Sequence, residues 1–151
     1  MNLRKAIAVV SCLLLLGCLL FFAFQWDVSS SESTPPVLQV QAGEEIITAN
    51  QGGYCWNERG KAVCVDATDP AEDLEERQGV SAVSGGNVEL VFDNPPYAIE
   101  VEGKSIGGRW EKQQINNLQM ELPETKDNYI YRVSGQWEQG DVSYAFLVRA
   151  K

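Results

Sequence analysis

Cys55 and Cys64 carry the plainest chemistry in the chain, because the stretch around them, Gly52-Gly-Tyr-Cys-Trp-Asn-Glu-Arg-Gly-Lys-Ala-Val-Cys-Val-Asp66, reads as a β-hairpin. With Arg59-Gly60 as a two-residue turn, Asn57 faces Ala62, Trp56 faces Val63, Cys55 faces Cys64 and Tyr54 faces Val65. This register puts the two thiols within bridging distance on one face and Tyr54, Trp56, Val63 and Val65 on the other. A three-residue turn would set Cys55 against Val63 and lose the bridge. The sequence contains no histidine. Two thiolates then supply only half of a tetrahedral zinc shell, so a disulfide is expected rather than a metal site.

The missing histidine also removes Ser-His-Asp and Cys-His dyads. An enzyme would have to work with carboxylates, lysine or tyrosine, and paired carboxylates distant in sequence are not visible as a motif. Asp66, Asp69, Glu72, Asp73, Glu75 and Glu76 form an acidic cluster, but its spacing is not that of an EF-hand, and helix capping on a solvated face accounts for it. Leu122-Pro123-Glu124-Thr125-Lys126 is close to a sortase signal. Lysine stands where that signal needs glycine and no apolar segment follows, so it reads as a strand end. No catalytic, cofactor-binding or metal-ligating set is expected. Tyr54 and Trp56 are the candidate ligand-contact aromatics, set against a reading in which both face the core.

What positions these residues begins with the leader. Met1–Lys5 is short and basic, and 6–24 is an unbroken apolar or small run ending at Gln25-Trp26-Asp27. Such a run is long enough to span a bilayer. Arg4 and Lys5 precede it and no basic residue follows until Arg59, which places the N-terminus inside and the rest outside. Leu15-Leu16-Gly17-Cys18 gives a competing lipoprotein reading in which Cys18 is cleaved and acylated. Leu16 and the apolar 19–24 segment favour the uncleaved anchor. The expected organisation is therefore 1–5 cytoplasmic, 6–26 anchor or lipoprotein signal, 27–36 Ser/Pro linker and 37–151 extracytoplasmic domain. All 21 acidic residues lie beyond Trp26 with ten basic ones, a net charge of −11 that repels phosphate backbones and makes nucleic acid an unfit partner.

In the domain the apolar period is two. Val37–Gln41 and Glu45–Ala49 form a first strand pair, and the hairpin follows; Asp69-Pro70-Ala71-Glu72 then carries the signals of a short helix that Gly79 stops. Val88, Leu90 and Phe92 alternate; so do Tyr97, Ile99 and Val101, and Leu118, Met120 and Leu122. Arg109–Lys112 reads as a brief strand. A last hairpin turns at Gln139-Gly140-Asp141, with Tyr129, Tyr131 and Val133 on one face of its first arm and Val142, Tyr144, Phe146 and Val148 on one face of its return. Eight or nine such strands predict a mainly β fold, an antiparallel β-sandwich of Ig-like layout with one short helix, preceded by an N-terminal transmembrane helix.

Gly53-Tyr54-Cys55-Trp56, Val63-Cys64-Val65-Asp66 with Asp69-Pro70, Val88–Phe92 with Pro95-Pro96, Leu122-Pro123, Tyr129-Ile130-Tyr131, Trp137 and Tyr144-Ala145-Phe146 together resemble an extracytoplasmic β-domain of Firmicutes. That domain occurs in small membrane-anchored or lipidated proteins and is similar to a stretch outside the membrane in some BlaR/MecR-type sensors. The resemblance implies a cell-envelope domain and suggests sensing; its motif includes no catalytic residue. Ala71 stands where a leucine often follows the proline. The expected function is a non-enzymatic binding or sensing module held at the bacterial cytoplasmic membrane through 6–26, whose partner is an envelope protein or small ligand. The alternatives are a structural or assembly protein of the envelope and a carboxylate hydrolase.

Overall fold

The computed structural model describes residues 34–151, apart from 59, 73 and 78. The leader, Cys18 and the anchor expected over 6–26 lie outside the described residues, and among the described residues no helix is long and apolar enough to cross a membrane. The described residues form eleven strands: β1 (Leu38–Ala42), β2 (Glu45–Thr48), β3 (Asn50–Glu58), β4 (Lys61–Val65), β5 (Val80–Ala82), β6 (Asn87–Phe92), β7 (Ala98–Ser105), β8 (Glu111–Lys112), β9 (Gln119–Glu121), β10 (Asn128–Trp137) and β11 (Gly140–Ala150). They make two sheets. The smaller runs β2-β1-β6-β9, and the larger runs β4-β3-β11-β10-β7-β8, with β5 added to β11. All pairings are antiparallel except β5 with β11, which is parallel. The architecture is thus mainly antiparallel β in two sheets.

The alternation read from the sequence selects the buried faces. Leu38, Val40, Val88, Leu90, Phe92, Met120 and Leu122 from the smaller sheet join Trp56, Val101, Tyr131, Val133, Trp137, Val142, Tyr144, Phe146 and Val148 from the larger in one core. Phe92 links the sheets edge-on, with its ring 5.6 Å from Trp137 and 5.9 Å from Tyr144. Such rings supply much of a small core's buried area. Pro35 is buried and the Pro36 carbonyl accepts a 2.5 Å hydrogen bond from Tyr144 Oη, so the packed domain takes in the end of the Ser/Pro segment.

The short helix expected before Gly79 is present among the described residues as a single 3-10 turn, Leu74–Glu76, and three other expectations are corrected. Asp69 closes a separate turn ahead of it, its Oδ1 accepting from Ala71 N at 3.0 Å and its carbonyl from Glu72 N at 2.9 Å. With Leu74 the only buried side chain of the 3-10 turn, there is no stripe to reward further helical turns. The last hairpin turns one residue early, at Glu138-Gln139, since Trp137 pairs with Gly140. Tyr97 is 71% exposed, outside β7, although it alternates with Ile99 and Val101. Leu118 precedes β9 in a left-handed conformation, φ 61°, instead of continuing a strand.

Candidate functional site

The Cys55–Cys64 hairpin forms in the expected register, including all four expected pairs, with the two sulfurs bonded and Cα atoms 4.1 Å apart. Trp56 lies on the core side, 4% exposed, 5.7 Å from Trp137 in edge contact, and so offers no ring face to a ligand. Tyr54 is half-buried against the same core. Val63 and Val65 point the same way yet are 44% and 38% exposed, because β4 is the sheet's edge strand.

The outward face of the larger sheet is where polar residues gather. Gly52 and Gly53 together face Ser143 in a β-bulge, since Val142 pairs with Tyr54 and Tyr144 with Gln51. Ser143 Oγ donates to Gly53 O at 3.0 Å. A Cβ at Gly52 would meet Pro70 Cδ at 2.7 Å, so the bare backbone lets Pro70, and with it the described part of the 66–79 strap, lie against the sheet. Further along, Leu74 fills a small apolar cluster with Ile130, Ala145 and Leu147, partly covered by Ala71 and Trp110.

Asp69 clamps the strap. Arg132 Nε donates to its Oδ1 at 3.2 Å and Nη2 to its Oδ2, a two-pronged match of planar groups. The guanidinium lies 4.0 Å from the Trp110 ring centroid, and Lys104 Nζ approaches the same ring at 5.0 Å. Beside it, Lys112 Nζ donates to Glu100 at 2.5 Å. That hydrogen bond, and then the Glu100 charge, hold the Lys112 ammonium above its ordinary pKa. Replacing Arg132 with alanine is expected to loosen the strap more than the domain. Because the pair is part-exposed, the stability loss should be about 1 kcal/mol, while trypsin cleavage after the exposed Arg77 should quicken several-fold. Unchanged cleavage would assign the strap's hold to Leu74 and Pro70 alone.

A groove made of two adjoining hollows, about 260 and 290 Å³, runs over β10 and β11; the hollows share Ser134 and Ser143, and the first lies between the strap and β7. One is walled by Asp69, Pro70, Glu100, Glu102 and Arg132; the other by Tyr97, Gln136, Gly140 and Asp141. A larger hollow of about 400 Å³ lies between Ala42-Gly43, Ser81–Val83, Gly86-Asn87 and Lys151. Its walls are mostly small, and Lys151 Nζ is engaged at 3.1 Å with Ser81 Oγ, so fewer groups there could orient a ligand. Among the described residues no three His, Cys, Asp or Glu converge as metal ligands.

The groove residues Arg132, Ser134, Gln136, Asp141 and Ser143 occupy the positions that alternate with the buried ones in the last hairpin, and this polar alternation was the available signal. Nothing local in sequence joins Asp69 to Arg132 or brings Tyr97 to Gln136. The fold and site together define a disulfide-clasped, mainly antiparallel β-domain with a polar groove on the outside of its larger sheet. No family model, curated protein or solved structure matches the chain.

Proposed function

We propose that the chain is a membrane-tethered extracytoplasmic binding module, a non-enzymatic β-sandwich of Ig-like layout that receives an extended polar ligand in the outer groove of its larger sheet. The observation that carries this reading is the groove itself, two adjoining hollows floored by Ser134 and Ser143 with the exposed Tyr97 ring at one end. Hydroxyl, amide and carboxylate groups beside an accessible aromatic suit a chain that offers both hydrogen bonds and ring or methylene faces, such as a glycan or peptide. The apolar 6–24 run, with Arg4 and Lys5 before it and no basic residue after it until Arg59, supports a tether that holds the domain outside the membrane. Hydrolysis is less well supported, since Asp69 is paired with Arg132 and Glu100 with Lys112, in an open groove.

The test places a photo-cross-linking residue at Gln136 in the groove and at Glu89 on the exposed face of the smaller sheet, in intact cells. Adducts are expected from Gln136 only, and a second substitution, Ser134→Trp, which blocks the groove where the two hollows meet, should abolish them. Equal adducts from both positions, or adducts that survive Ser134→Trp, would overturn the groove. A docking role in envelope assembly is the second reading, favoured by the exposed Val63 and Val65 along the open β4 edge. Adducts from a cross-linker at Val63 that ignore Ser134→Trp would select it.

A further inference from the structure

We infer that the Cys55–Cys64 bond is an exchangeable catch, open to attack by a dithiol, and that its reduction frees residues 60–68 as a flap while the rest of the domain stays folded. The inference goes beyond the groove and is independent of what the groove holds.

Both cysteines are exposed, so an attacking thiolate can reach them. Accessible disulfides are the class that exchanges, whereas buried structural ones resist. What the bond holds is also unusual. Every residue of β4 is exposed, and among the described residues its only strand partner is β3 and none of its side chains belongs to either apolar cluster. An edge strand that buries no side chain has little besides its ladder to hold it against the sheet. Closure of this short loop by the covalent bond favours the paired state by about 100-fold in the chain-entropy account.

The flap has firm ends, which is why its opening need not spread. On one side Trp56 is buried in the core and Asn57 N donates to Gln139 O at 2.7 Å. On the other, Asp69 is clamped by Arg132 and Pro70 rests on Gly52. Between these anchors, among the described residues, only the β3–β4 ladder and the bond keep the segment down. The exchange balances simply. One thiolate of the dithiol attacks a sulfur to give a mixed disulfide and releases the other cysteine; the second thiol of the reductant then displaces the first cysteine. Two electrons pass, the domain gains two thiols and the reductant becomes a disulfide. Opening bares the outward N–H and C=O groups of β3, so the catch decides whether the larger sheet ends at β4 or at β3.

The full chain, treated with dithiothreitol at neutral pH, tests this by maleimide labelling followed by mass, with amide hydrogen exchange on the same samples. Untreated protein should take no label at Cys55 or Cys64. Reduced protein should take two there, with exchange at 60–68 faster by about 10- to 100-fold and β10 and β11 unchanged. Cys55→Ser with Cys64→Ser should reproduce the fast exchange without reductant. Labelling that appears only as the whole domain unfolds, a reduced or doubly substituted domain that does not fold, or a flap that exchanges no faster when reduced would each overturn the inference.

Discussion

Gly140→Ala is expected to leave little folded protein, with a loss above about 4 kcal/mol set against a typical domain stability of about 5–15 kcal/mol. A Cβ there would stand 1.8 Å from the Cys55 carbonyl oxygen, 2.9 Å from its carbon and 3.2 Å from Trp56 Cα, with φ at 155°. All three are main-chain atoms, so no side chain can swing aside. Relief requires β3 to leave β11 at the point where Gly140 pairs with Trp56 and Asp141 with Cys55. That movement would pull Trp56 from Trp137 and break the bond from Asn57 N to Gln139 O. Gly43→Ala is the control. Its φ of 62° is also left-handed, but no atom lies within 4 Å, so the expected loss is about 1 kcal/mol. Urea unfolding of the two variants separates the cases. Similar midpoints would mean that β3 and β11 are not so closely seated.

Gly140 also shows how a correct signal is misread. Gln139-Gly140-Asp141 has turn composition, and glycine at its centre invites a turn. The turn is instead Glu138-Gln139, and the glycine serves the approach of a neighbouring strand. Where the determinants are local, the sequence is legible: the turn at Gly60 and the facing cysteines settle the β3–β4 register, and the alternation of the last hairpin settles its buried face. Legibility fails when the deciding partner is distant. Val63 and Val65 point to the core side, but whether anything covers them depends on the extent of the smaller sheet, which no property of the hairpin encodes. β5 has strand character, but its parallel pairing with Val148–Ala150 joins segments far apart in the chain. The groove combines both situations. Its floor follows from polar alternation along β10 and β11, whereas its wall depends on Asp69 reaching Arg132 and on Pro70 settling over Gly52.

Stability should fall steeply above pH 10, and two core tyrosines should account for most of the fall. Tyr131 and Tyr144 are each 1% exposed, and burial pushes both phenols well above the ordinary 10.0. For Tyr131 the neighbouring Tyr129 adds a smaller push in the same direction. Below pH 10 both phenols are protonated whether the chain is folded or not, so their contribution is complete and flat. As pH rises past 10 the unfolded chain releases its protons while the folded one keeps them, so the unfolded state binds fewer protons and gains. Each tyrosine then removes about 1.4 kcal/mol per pH unit, together nearly 3 kcal/mol, until the folded pKa values are reached. Tyr131→Phe should roughly halve that slope, and at pH 7 it should be neutral or stabilising, because the Tyr131 hydroxyl is buried with no hydrogen-bond partner among the described residues. Tyr144→Phe should halve the slope too, yet lose about 1 kcal/mol at pH 7, since its hydroxyl donates to the Pro36 carbonyl. Denaturant unfolding at a series of pH values resolves all three. An alkaline slope unchanged in both variants would place the titrating groups elsewhere. The difference at pH 7 separates a ring that only fills the core from one that also fastens the chain's entrance into the domain.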